Sequence, residues 1–111
     1  MIFEIVISEQ ADFDLRGIFE YIAYELQSPQ NASGQLDRLE KSILSLKEMP
    51  ERHREYEKEP WHSRGLRMMP VDNYVVFYIS DKDTQQVTVI RVMYAGRNVE
   101  EQLAKYTRVK R

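Results

Sequence analysis

The chain has 111 residues, no cysteine, 31% charged residues and a formal net charge of −2. That fits one domain around one core, spanning 1–111, and excludes a disulfide framework, a thiolate metal site and a cysteine nucleophile. The charge is uneven: residues 1–60 hold 13 acidic against 7 basic side chains, and residues 61–111 hold 5 against 9, so a polyanion or acidic partner would be drawn to the carboxyl half.

No apolar run reaches membrane-spanning length, and the opening MIFEIVIS carries an acid where a signal peptide carries bases. A cytoplasmic protein with no membrane partner is therefore expected. Residues 2–7 alternate weakly, with Phe3, Ile5 and Ile7 on one side, which suits a strand with one buried face. Ser8 can cap a following helix whose apolar stripe is Leu15, Ile18, Phe19, Ile22, Ala23 and Leu26, flanked by Tyr21 and Tyr24. Ser28 and Pro29 repeat the start signal, and Leu36, Leu39, Ile43 and Leu46 form a second stripe that Pro50 ends. A connection this short makes the two helices an antiparallel hairpin.

The segment ERHREYEKEPWHS has no apolar period and reads as a loop, with Trp61 as its anchor to the core. His53, Glu55, Glu57 and His62 match no zinc spacing, so neither a metal nor a cofactor is expected. Three strand-like runs follow at 66–71, 74–79 and 87–94, the last apolar enough to be central. Asp72 and Asn73 leave room for a two-residue hairpin turn, and Asp81, Lys82, Asp83 and Thr84 make a charged one. Val99, Leu103 and Tyr106 are spaced for a short carboxyl-terminal helix, followed by the basic tail Arg108, Lys110 and Arg111.

The order β-α-α-β-β-β plus a short helix defines an α+β domain with the helical hairpin on one face of an antiparallel meander. The direction in which the first strand joins the meander is open, and the opposite sheet face is where function is sought. Strand parity groups Arg91 with Val89 and Met93, beside that face.

These elements resemble the RelE/ParE superfamily of toxins from type II toxin–antitoxin modules. The resemblance covers essentially the whole chain. It rests on the element order, on Gly65-Leu66-Arg67, on the strand Asn73-Tyr74-Val75-Val76-Phe77-Tyr78, and on Ile90-Arg91-Val92-Met93-Tyr94 running into Gly96-Arg97. It implies a role in plasmid stabilisation or growth inhibition, by cleavage of messenger RNA in the ribosome or by poisoning of DNA gyrase.

The nuclease pattern implied by the resemblance is half empty here. Arg67 and Arg97 match two of its cations, but Met69 and Val75 stand where two others belong, and Leu103 takes the place of its terminal tyrosine, with Tyr106 one turn on. Each missing cation would remove about 2.7–4 kcal/mol of transition-state stabilisation. A gyrase inhibitor is thus the favoured reading, with Arg67, Arg91 and Arg97 contacting the target. The alternatives are a ribosome-dependent endoribonuclease, with Arg67, Arg97, Tyr94, Tyr106 and His62 at its site, and a degenerate module that only binds antitoxin. The resemblance also implies an antitoxin partner, expected in a groove lined by Tyr21 and Tyr24, and that patch is a candidate for homodimer formation when the antitoxin is absent.

Overall fold

The computed structural model describes residues 2–96 and 98–106, except for the side chains of Lys105 and Tyr106. The expectations for Arg97, the Tyr106 side chain and the basic tail lie outside the described residues. Five strands, β1 (Glu4–Ile7), β2 (Arg54–Glu55), β3 (Leu66–Val71), β4 (Tyr74–Asp81) and β5 (Gln86–Tyr94), form one sheet in the order β1-β5-β4-β3-β2. Helices α1 (Glu9–Glu20) and α2 (Pro29–Leu44) form the hairpin, and α3 (Val99–Tyr106) follows the sheet. The open question of β1 is answered by parallel pairing with β5, Glu4 opposite Gln86 through Ile7 opposite Val89, while β2 to β5 are antiparallel.

Ser8 starts α1 as expected. Its hydroxyl accepts the Ala11 N–H at 3.0 Å and donates to the Ile90 carbonyl at 3.0 Å, so one side chain both caps the helix and ties it to β5. Ser28 makes no such side-chain cap, and α2 begins on Pro29 alone. The π-helical turn Tyr21–Glu25 closes α1, with Leu26 N–H bonded to the Tyr21 carbonyl. That wider turn rotates the phase of the stripe, which is why Leu26 ends exposed while Leu15, Ile22 and Ala23 are buried.

The Asp72-Asn73 turn forms where expected, with Asp72 at φ 54°. Arg38 Nε at 2.8 Å and Gln35 Nε2 at 3.0 Å both donate to Asp72 Oδ2, docking the turn on α2. Those bonds, Arg38 first, hold the Asp72 carboxyl below its usual pKa.

Beneath the helical hairpin, Leu15, Leu39, Ile43 and Leu46 meet Met69, Val76, Tyr78, Val87, Val89 and Val92. The opposite face corrects the expectation of a free surface. Trp61, 5% exposed, packs there with Leu66, Val75, Phe77, Ile90, Met93 and Leu103, flanked by Tyr56 and Val99. The 56–65 loop and α3 therefore cover the second face, joined by an ion pair from Lys58 to Glu100 at 2.6 Å. The anchor role read for Trp61 is the one it has. The apolar parity of all three long strands explains the cover, since a second face carrying Leu66, Phe77, Ile90 and Met93 could not be left in water.

The segment read wholly as loop also holds β2, which pairs Arg54 with Met68 and Glu55 with Arg67. Gly65, at φ 82°, closes that segment just before β3 in a conformation that L residues rarely adopt.

Candidate functional site

Arg67 and Arg91 do not converge. Arg67 lies on β3 opposite Tyr78, whose ring belongs to the core under the helices, so it stands on the helical side of the sheet. Its Nη1 donates to the carbonyls of Glu51 at 3.1 Å and His53 at 2.8 Å, clamping the turn before β2. Tyr78 donates its hydroxyl to the Pro50 carbonyl beside it. Burial pushes the Tyr78 phenol up to about 12, so it stays a donor across the physiological range.

Arg91 stands opposite Phe77 and shares the second face with Met93, as parity suggests, but Val89 does not. A bulge between Phe77 and Tyr78 pairs these residues with Arg91 and Val89 and leaves Ile90 as the extra residue, which breaks the alternation. The guanidinium then turns past the end of β1. Nε meets Asp14 Oδ2 at 2.6 Å, Nη2 meets Asp14 Oδ1 at 3.0 Å, and Nη1 reaches the Gln102 carbonyl at 3.4 Å. Asp14 Oδ2 also accepts the Val92 N–H at 2.9 Å, where β1 no longer pairs with β5. With its side chain 7% exposed, Arg91 is a buried ion pair rather than the target-facing cation that the sequence suggested. Asp14 was missed because its partner lies 77 residues away and no local spacing signals it.

The proposed acid–base groups are also apart. His62 Nδ1 is bonded to the Tyr56 carbonyl at 2.8 Å, inside the loop. Tyr94 is half exposed at the end of β5, edge-on to Tyr74 at 5.9 Å. Burial and then the phenols of Tyr94 and Tyr21 raise the Tyr74 pKa. The next turn passes tightly under Tyr94, because a Cβ on Gly96 would come within 2.6 Å of that ring.

His53 stacks edge-on to Tyr78 at 6.2 Å, with its Nε2 buried and lacking a hydrogen-bond partner. Burial, then the nearby Arg52, lower its pKa below 6.5. The unfolded chain then binds a proton near 6.5 that the folded chain refuses, so this contribution is complete above 6.5 and is lost as pH falls toward the lowered value. Urea midpoints measured from about pH 7 to about pH 5 should fall more steeply for the wild type than for His53→Phe. Parallel lines would remove His53 from the pH dependence.

A groove of about 380 Å³ runs along the helical hairpin, with Leu15, Phe19, Tyr24 and Leu36 as apolar lining and Asp12, Arg16, Glu20 and Glu40 as charges. Asp12 and Arg16 pair at 3.1 Å, so Glu20 and Glu40 leave the rim negative. Tyr24 thus lies in the groove, whereas Tyr21 is not among its lining residues. The chemistry on offer is helix recognition, an apolar trough with an acidic rim. Among the described residues, no helix is long and apolar enough to cross a membrane.

A helical hairpin laid on a five-stranded sheet with a short final helix is the fold of solved RelE/ParE toxin structures. The chromosomal ParDE toxin–antitoxin system from P. aeruginosa superposes with a TM-score of 0.68 at 14% identity, covering 84% of this chain and 96% of that one. A mutant of the E. coli toxin RelE in the free state gives 0.65 at 16% identity, over 92% and 93%. The toxin–antitoxin complex RelBE2 from Mycobacterium tuberculosis gives 0.61 at 17%, over 85% and 92%. No curated protein matches the sequence significantly. The sequence model described as the ParE toxin of the type II toxin–antitoxin system parDE matches residues 5–99, and the chain belongs to that family.

Proposed function

We propose that this toxin acts by binding and inhibiting DNA gyrase, and that an antitoxin neutralises it by laying a basic amphipathic helix in the groove between α1 and α2. The observation that carries the gyrase reading is how the cations are used. Arg67 is spent on the carbonyls of Glu51 and His53, and Arg91 on Asp14. Met69 and Val75, standing where the nuclease pattern has cations, are buried in the two cores. Cleavage of RNA needs positive charge aligned on the developing phosphorane together with an acid and a base, whereas inhibition by binding needs only a complementary surface.

The antitoxin reading is supported by the groove. Its trough suits an apolar helix face, and Glu20 and Glu40 on its rim favour lysine or arginine on the flanks of that helix. Similar folds from P. aeruginosa and M. tuberculosis were solved as toxin–antitoxin assemblies.

Purified chain in a supercoiling assay with gyrase, beside a translation reaction read for cuts in mRNA, tests the target. Inhibition without cuts is expected; cuts without inhibition would establish a ribosome-dependent endoribonuclease, and silence in both a module that only binds antitoxin. Arg97→Ala is expected to abolish gyrase inhibition while antitoxin binding persists. The double variant Glu20→Lys/Glu40→Lys should weaken antitoxin binding by about tenfold or more, with a reduced salt dependence. Unchanged affinity would move the antitoxin elsewhere.

A further inference from the structure

We infer that the free toxin pairs with a second copy of itself through β1, in an antiparallel register centred on Val6. β1 ends the sheet, and its outer side is left for another strand. Glu4 and Ser8 direct their N–H groups to Gln85 and Val89 on the β5 side, so by alternation Ile5 and Ile7 present theirs outward.

The usual protections of an edge strand are weak here. β1 contains no lysine and no proline. Its one acid, Glu4, accepts a bond from Gln86 Nε2 at 3.0 Å, within its own sheet. Val6 is 36% exposed, Ile7 43% and Ile2 68%.

The edge also has defined limits. At one end the Phe3 N–H is taken by the Lys47 carbonyl at 2.8 Å, so another strand cannot extend past Glu4. At the other end the chain leaves the sheet at Ser8, where α1 begins. The free window is therefore 4–8, and an antiparallel second copy offers the same window.

With Val6 facing the partner's Val6, Ile5 faces the partner's Ile7 and exchanges both backbone hydrogen bonds with it. The twofold axis repeats the exchange. The two Glu4 carboxylates are kept roughly 13 Å apart along the strands, beyond effective range at physiological salt.

Charge selects a second copy over any other apolar strand. Pairing over 4–8 brings the partner's Glu9, the first residue beyond its paired window, to the end of the edge where Lys47 stands beside Phe3, so these two exposed side chains form two symmetric opposite-charge pairs. One docked strand of another protein would satisfy the hydrogen bonds but would supply that charge match only by coincidence.

Sedimentation of the free full-length toxin over a concentration series is the test. The wild type is expected to reach twice its 13.3 kDa mass. Val6→Lys, which sets two lysines directly opposite, should raise the dimer dissociation constant by about tenfold or more. Lys47→Glu should weaken the dimer as well, and Lys47→Glu/Glu9→Lys should restore it, with circular dichroism confirming that each variant folds. If Val6→Lys does not fold, the charge pair and its swap decide alone. A wild type that stays monomeric, or a dimer indifferent to Val6→Lys and to Lys47→Glu, overturns the inference. So does loss of dimerisation on Tyr21→Ala/Tyr24→Ala alone, which would place the interface on the helical hairpin.

Discussion

Asp14→Ala is expected to lower the free energy of unfolding by about 3–5 kcal/mol, a large share of what a domain of this size has. The carboxylate holds Arg91 through two bonds and caps the Val92 N–H, and the two side chains are 12% and 7% exposed. Removing it strands a guanidinium that has already lost its water, and that uncompensated charge is the main cost rather than the lost attraction. Asp14→Leu/Arg91→Met should recover most of the loss, because no buried charge remains, although the Val92 N–H loses its acceptor and the Gln102 carbonyl loses the Arg91 donor. Urea denaturation followed by circular dichroism checks both variants. A loss under about 1 kcal/mol for Asp14→Ala would mean that water reaches the pair in solution.

Trp61→Ala is the second large effect, expected at about 3–5 kcal/mol. The indole fills the middle of the second core, where Leu66, Val75, Phe77, Ile90 and Met93 from three strands meet Leu103 from α3. Arg64 lies over its ring at 5.1 Å, and Tyr56 packs edge-on to Phe77 at 6.0 Å, so Trp61 is the largest of the loop's attachments to the sheet. The alanine variant should therefore release residues 56–65 to proteolysis before the rest of the chain unfolds, and Trp61→Phe should lose much less. Because the chain has one tryptophan, unfolding of both variants must be followed by circular dichroism. Equal protease resistance in wild type and alanine variant would show that the loop is held by other contacts.

Local features were legible because local rules produce them. Leu39, Ile43 and Leu46 recur at helical spacing and are buried; Asp72 and Asn73 occupy the turn whose chemistry they suit; Ser8 caps the helix that it precedes. Trp61 could be read as an anchor because a large aromatic in a charged loop has few other uses.

What could not be read involved distance in the chain. The parallel partner of β1, the ion pair between Asp14 and Arg91, and the closure of the second face by residues from 56–65 and α3 each join segments that share no local pattern. The bulge at Ile90 has no glycine or proline to announce it, and it alone defeated the parity argument for the last strand. The site was harder than the fold for the same reason. Arg67, Arg91 and His62 are residue types that catalysis uses, and only their neighbours reveal that the first two brace the structure and the third closes its own loop.

The pairing of β1 with β5 also sets the order in which the molecule can be made. Residues 4–7 leave the ribosome about eighty residues ahead of the strand they need, Gln86–Tyr94. A nascent chain stopped before Gln86 has nothing for its first strand to join and lacks the Ile90 carbonyl that receives Ser8. Completion of the fold therefore waits until residues 86–94 have been made, and translation products that stop short of them carry an unpaired apolar strand suited to aggregation or proteolytic removal rather than to work.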